Sequence, residues 1–297
     1  MNMLITMLLG VCEQGIIYAI MALGIYITYK ILDFPDLTVD GSFPLGAAVT
    51  VSLLERGVNP YITLVAAFFA GVLAGIVTGI IHVKCQVRDL LSGIIVMTGL
   101  YTVNLRIAGS ANVPIFGKET IFDNAFLNAL LPESCRRFQT LGVAVVVALA
   151  SKYMLDIYLK TKSGYLLRAA GDNEVLVTSL AKDSGLVKIL GLAVSNGLVA
   201  LSGCVLCQQQ RYFDVSCGTG TMVLGLASVI MGTALLGKVK FIRPTSAVVI
   251  GSILYKLCVA FAIKCNLSAN DLKLVTAVLF LVILVLCMDR KRGKQSA

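Results

Sequence analysis

Residues 60–81 read PYITLVAAFFAGVLAGIVTGII, without one charged side chain. A hydrocarbon layer about 30 Å thick takes roughly 20 helical residues to cross, so this run is long enough to span a bilayer by itself. Within it Gly71, Gly75 and Gly79 recur every fourth residue and form a stripe along one helical face. Small residues at that spacing let helix backbones approach closely in lipid. The stripe reads as tight packing inside a bundle, with a contact between two copies of the chain as the sharper alternative.

The pattern repeats on both sides. Similar runs occupy 4–28, 36–54, 90–108, 138–159, 186–206, 221–237, 244–263 and 271–288, which with 60–81 makes nine candidate spans. Segments 36–54 and 221–237 are short and glycine-rich, so eight or ten spans also fit. Nothing is left over for a soluble domain, and 1–297 reads as a single all-α transmembrane domain, a polytopic helix bundle. Composition agrees: 58% of residues are hydrophobic and 14% charged, against about a quarter charged in ordinary soluble domains. Met1-Asn2-Met3 carries no basic residue and Glu13 interrupts the first apolar run, so that run is expected to be a retained span and not a cleaved signal peptide.

The net charge of +9 does not point to nucleic acid, because the basic residues cluster in short loops between spans. With the N-terminus outside, fifteen Lys and Arg fall on cytoplasmic segments and eight on outer ones, while Lys152 and Lys256 lie inside spans. That bias predicts N-out and C-in, with DRKRGK at 289–294 anchoring the tail. Two loops stand out. The outer loop 109–137 is long enough for a short amphipathic helix. The inner loop 160–188 reads as a helix N-capped by Asp172 or Asn173, with Glu174 in its first turn and Gly185 ending it. On it Leu176 shares a face with Leu180, and Val177 with Ala181. Such a face lies either on the membrane surface or under a partner.

Enzymatic chemistry finds little footing. GTALLGKV at 232–239 approaches the phosphate-binding pattern, but Val239 stands where a hydroxyl must hold magnesium, and an apolar span replaces the required strand. Cys204-Val-Leu-Cys207 has no second pair, and His82, the one histidine, sits at a span end, so no metal set is expected. Asn266-Leu-Ser268 fits a glycosylation site only in a secretory-pathway cell. No cofactor is called for.

Polar residues inside spans are more telling, because each is costly in hydrocarbon and turns toward the protein interior or a cavity. Candidates for a solute pathway are Glu13, Asp36, Asp40, Asn104, Asn196 and Asp214. Two segments broken by proline or glycine, YKILDFPDLTVDGSFPLGAAV at 29–49 and QRYFDVSCGTGTMVLGLASVI at 210–230, resemble each other. The charge rule puts the first at the inner face and the second at the outer. Broken helices in an inverted repeat are a transporter signature.

The opening segment, with DFPDLTVDGSF at 33–43, resembles permeases of bacterial ABC importers of the branched-chain amino acid/ribose type. GYLLRAAGDNEVLVTSLAKDSGLVKILGLAVSNGLVALSG at 164–203 is similar to that family's cytoplasmic loop and following span. Gly164, Arg168, Ala169, Gly171, Asn173 and Gly185 fall where the family places such residues, and the likeness covers nearly the whole chain. Within the family, DFPDLTVDGSF resembles a tryptophan/tyrosine-type branch. The resemblance implies a multi-pass protein of the bacterial cell membrane. Its expected partners are a cytoplasmic ABC ATPase, an extracytoplasmic solute-binding protein and a second permease copy or paralogue. It also turns the inner helix into a coupling helix, with Gly164, Arg168, Asp172, Asn173, Glu174, Leu176, Val177, Leu180 and Gly185 as the ATPase-coupling set. An ion-coupled secondary transporter, with Glu13 or Asp40 as its proton or sodium site, is the alternative; a channel is a third reading, without a repeated filter ring to support it.

Overall fold

A computed structural model describes residues 2–124, 136–173, 177, 183–236, 243–264, 274, 277–278, 280–282 and 285. Its helices are α1 (Asn2–Ile25), running into a π-helical turn (Tyr26–Ile31), α2 (Val39–Glu55), α3 (Pro60–Val83) and α4 (Asp89–Ala108). After the strand β1 (Asn112–Pro114) come α5 (Arg136–Tyr158), α6 (Lys162–Asp172) and α7 (Ser184–Gln210). The strand β2 (Tyr212–Asp214), a 3-10 turn (Val215–Gly218), α8 (Thr221–Leu236) and α9 (Pro244–Lys264) complete the described chain. Seven of the described helices are long and apolar enough to cross a bilayer. The second expected span, now α2, has only 17 residues, and the expected span 271–288 falls largely outside the described residues.

α7 is the hub. Its buried positions run from Gly185 to Gln208, and α1, α2 and α3 pack around it. The glycine stripe of α3 is used here, within one chain. A Cβ on Gly71 would meet Asn196 O, one on Gly75 would meet Leu192 O, and one on Gly79 would meet the Ile189 backbone. α1 is held to α7 by Ser195 Oγ donating to Gly24 O and Ser202 Oγ donating to Ile17 O, both at 2.8 Å. On its other side Ser252 Oγ of α9 donates to Gly15 O at 2.8 Å. Each hydroxyl satisfies a partner that lipid could not. The apolar core fills between these contacts, with Ile17, Ile20, Met21, Leu23, Phe43, Val199 and Val205 fully enclosed.

The chain breaks between α1 and α2 for local reasons. Proline at 35 has no N–H to continue a helix, Asp33 takes a left-handed conformation (φ 51°), and Phe34 N donates back to Thr28 O at 2.9 Å. The second break, 211–220, carries two departures from expectation. Arg211 is left-handed and ends α7, and β2 pairs antiparallel with β1, Val113 facing Phe213. The 109–137 loop thus opens with a strand; the rest of it, 125–135, on which the expected amphipathic helix falls, lies outside the described residues. Three residues are too few for an alternation to be read from sequence.

In the inner loop a described helix precedes the expected one, of which only Val177, itself helical, is described: α6 is N-capped by Thr161 and closed at Asp172, with Asn173 extended as its C-cap. Asp172 therefore ends a helix instead of capping one. Gly185 does not terminate anything: it lies in the first turn of α7, whose N-cap is Asp183, with its carboxylate accepting from Gly185 N at 2.8 Å and Leu186 N at 3.4 Å. Glu174, Leu176, Leu180 and Ala181 lie outside the described residues.

Candidate functional site

The first broken segment inserts its polar residues against the middle of α7. Asp36 is 1% exposed. Its Oδ1 accepts from Thr38 N at 2.9 Å and its Oδ2 from Asn196 Nδ2 at 2.7 Å. Asn196, near the middle of α7, is completed by Ser42 Oγ donating to its Oδ1 at 2.7 Å and by its own Nδ2 reaching Leu192 O at 3.0 Å. The Thr38 and Thr78 hydroxyls meet at 2.8 Å. Two of the expected pathway residues, 160 positions apart, are therefore one buried pair. A network satisfied this fully fixes where α2 starts relative to α3 and α7.

Asn104 of α4 donates to Gly41 O at 3.1 Å, and its Oδ1 is buried without a partner among the described residues. Asp40, in the first turn of α2, does something the sequence did not announce. Its carboxylate accepts from Gly220 N at 3.0 Å, Thr221 Oγ1 at 3.0 Å and Met222 N at 2.8 Å. It is the N-cap of α8, supplied from another element, and it sits at the positive end of that helix dipole. The two broken segments, expected at opposite faces, meet at this point, where Gly218 also packs against Asp40 O and the Pro44 ring. Among the described residues the Asp214 carboxylate bonds within its own turn, accepting from Ser216 N at 2.9 Å and from Ser216 Oγ. Glu13 of α1 is hydrogen-bonded by the Gln209 side chain.

Toward the opposite end, α6 lies on the break after α1. Leu167 is fully buried, and Gly171 is close enough to Ile31 O that a Cβ could not be added. Gly164 is likewise tight against Leu159. Arg168, Asp172 and Asn173 are exposed. Val177 is not: it is 0% exposed and belongs to the core cluster, so it faces this chain instead of a partner. Beside this end Asp156 of α5 accepts from Thr245 Oγ1 at 2.7 Å and from Arg243 at 3.2 Å, with Lys152 at 3.8 Å. That cluster ties α5 to α9 and was missed in the sequence, where Lys152 read only as a charge inside a span.

None of these groups forms a nucleophile–base pair. His82 Nδ1 lies 2.9 Å from Val87 O with its ring edge on Phe34, and Cys204 is buried beside Thr63 and Gln208. Gly232 lies within α8, where a Cβ would meet Ala247 O; residues 237–239 of the approximate phosphate-binding pattern lie outside the described residues. The arrangement is that of polar joints at the breaks of a membrane bundle.

Comparison with known proteins is consistent with that arrangement. The family described as branched-chain amino acid transport system / permease component matches residues 7–287. A tyrosine transport system permease protein of Clostridioides difficile is 42% identical over 93% of this chain and 90% of its own length. An uncharacterized protein of Rickettsia prowazekii is 30% identical over 95% and 96%. A ribose import permease of Escherichia coli K12 is 26% identical over 77% and 70%.

Proposed function

Because this chain belongs to the family of branched-chain amino acid transport system permease components, a multi-pass cell membrane protein of a transport system, we propose that it is the membrane-spanning subunit of an ATP-binding-cassette importer. It passes an amino acid or similar small solute, and the 42% identity to a tyrosine permease favours an aromatic amino acid. Residues 1–297 act as one permease domain. The 160–188 loop receives a separate cytoplasmic ATPase, an extracytoplasmic binding protein delivers solute, and a second copy of the chain completes the pathway. ATP hydrolysis takes place on the ATPase and not on this subunit.

The observation that carries the reading is the extent of the match, which runs from the first helix to 287 and includes the inner loop. An ion-coupled transporter working alone is disfavoured by the two acids it would use: Asp40 is taken up by three donors at the start of α8, and Glu13 is engaged by Gln209.

Docking is tested in the loop. Leu176 and Leu180 share a helical face by spacing, and burying each against a partner stabilises the contact by about 1.5–3 kcal/mol. Replacing both with Arg should cost more than about 3 kcal/mol, over a hundredfold in affinity, while the chain still accumulates in the membrane. Co-purification of the ATPase and solute uptake should fail together. A double variant that keeps its ATPase and transports normally would remove this loop as the coupling element.

A further inference from the structure

Lys256 lies in α9, inside the membrane-crossing stretch Pro244–Ala262 and about 9 Å short of its Ala262 end. A charge at that depth is costly, and a lysine that nothing holds stretches toward the nearer interface. This one does not. Its Nζ stands 3.8 Å from the centre of the Tyr18 ring, and Tyr18 is near the middle of the span Leu8–Ile31. Phe43 of α2, fully buried, lies parallel to the same ring with the centroids 5.9 Å apart and fixes it in place. The ring face attracts the cation but carries no net charge to balance it. Among the described residues Lys256 enters no ion pair.

The surface around it is also unlike the rest of the bundle. α3 exposes Ile62, Val65, Phe69, Leu73 and Val77, all apolar, as contact with lipid requires. Where α1 meets α9, joined by Ser252 and Gly15, the part-exposed residues include Glu13, Gln14, Tyr18 and Lys256. Gln14 and Tyr18 share one side of α1 with Gly10, which has nothing within 4 Å of where its Cβ would go. Polar side chains at membrane depth face water or protein and not lipid, so this strip belongs to the interior of the working assembly. It adjoins the joint between the two breaks, because Phe43 precedes Pro44, whose ring packs on Gly218. A part-exposed ammonium without a counter-charge, held on an aromatic shelf along such a strip, suits a carboxylate. A neutral sugar would leave the charge unbalanced, and an amine without a carboxylate would be repelled.

We propose that Lys256 takes the carboxylate of the transported amino acid as it crosses the membrane, with Tyr18 holding the lysine ammonium at mid-depth. The proposal rests on the reading of the chain as an amino-acid permease and adds the group inside the pathway that selects for an acid.

The test introduces Gln14→Cys, one turn from Tyr18, into the full chain with its nine native cysteines replaced by alanine or serine. A water-soluble maleimide should label the purified chain. Millimolar L-tyrosine should slow that labelling, whereas tyramine, which lacks the carboxylate, and ribose should not, and adding Lys256→Met should abolish the protection. In the native-cysteine chain, Lys256→Met should lower the maximal rate of tyrosine uptake about tenfold, as expected for loss of one hydrogen bond to a charged group, with the membrane level unchanged. Lys256→Arg, which keeps the charge, should retain most of the uptake. This second arm decides the matter alone if the cysteine-replaced chain does not accumulate. Equal protection by tyramine, protection that survives Lys256→Met, or normal uptake by Lys256→Met would each overturn the proposal. So would a Lys256→Met chain whose uptake falls only in step with its membrane level, the mark of a merely structural lysine. Protection needs no ATPase, so protection without ATP-driven uptake would keep the site and remove the importer reading, and ATP-driven uptake unchanged by Lys256→Met would do the reverse.

Discussion

At the residue scale, two kinds of side chain hold the bundle together: small residues where helices touch, and polar residues where the backbone breaks. Gly75 and Gly99 separate the two senses of a membrane glycine. Gly75→Leu would drive a side chain into the Leu192–Ala193 backbone, whereas Gly99 has nothing within 4 Å of where its Cβ would go. Overpacking costs about 1–3 kcal/mol, occasionally more, so Gly75→Leu should lose its monodisperse peak on size-exclusion chromatography after mild heating, and Gly99→Leu should keep it. Asp40 and Asp214 make a second pair. Asp40→Ala removes an N-cap of α8, a loss of about 0.5–2 kcal/mol, while Asp214→Ala opens only a local turn. If Asp40 were a solute ligand alone, its alanine variant would lose uptake with unchanged thermal stability, which the same chromatography reads out. Asn196→Leu should be worse than either, because it strands the buried Asp36 carboxyl and leaves a buried polar group unsatisfied.

At the element scale, the spans were legible and their joints were not. The apolar runs located most helices to within a few residues, because lipid solvation demands unbroken hydrophobic length. Pairing across the chain leaves no local pattern. Asp36 and Asn196 were each suspected for being polar at membrane depth, but nothing near either one names the other. Gln208 and Gln209 fall beyond the expected span 186–206, although they belong to the last turn of α7. Gly185 was misread because an Asp-Ser-Gly sequence serves as a helix stop or a helix start; the Asp183 carboxylate on two N–H groups decides for the start. The β1–β2 ribbon gives a check on its own register. Val113→Cys with Phe213→Cys, directly opposed, should form a disulfide under mild oxidation, since facing residues of antiparallel strands lie about 4.5–5.5 Å apart at Cα. Ala111→Cys with Phe213→Cys, two positions out of register, should link far more slowly. Equal rates would contradict the pairing.

At the scale of the whole molecule, the bundle is organised around α7, with the two broken segments meeting at the Asp40 cap between α2 and α8. A movement of α8 relative to α2 would have to release or carry that carboxylate, so the joint couples the two breaks mechanically. α6 rests on the first break through Leu167 and Gly171, which gives a force applied at the 160–188 loop a short route to the same joint. Under the proposed function, that route carries the movement of the ATPase into the bundle. The most direct measurement is uptake of radiolabelled L-tyrosine into proteoliposomes holding this chain together with the ATPase and binding protein of its own transport system. The account predicts uptake that requires ATP on the ATPase side, stops with vanadate, and persists when ionophores collapse the proton and sodium gradients. Uptake by this chain alone, driven by an ion gradient and abolished by the ionophore, would contradict it.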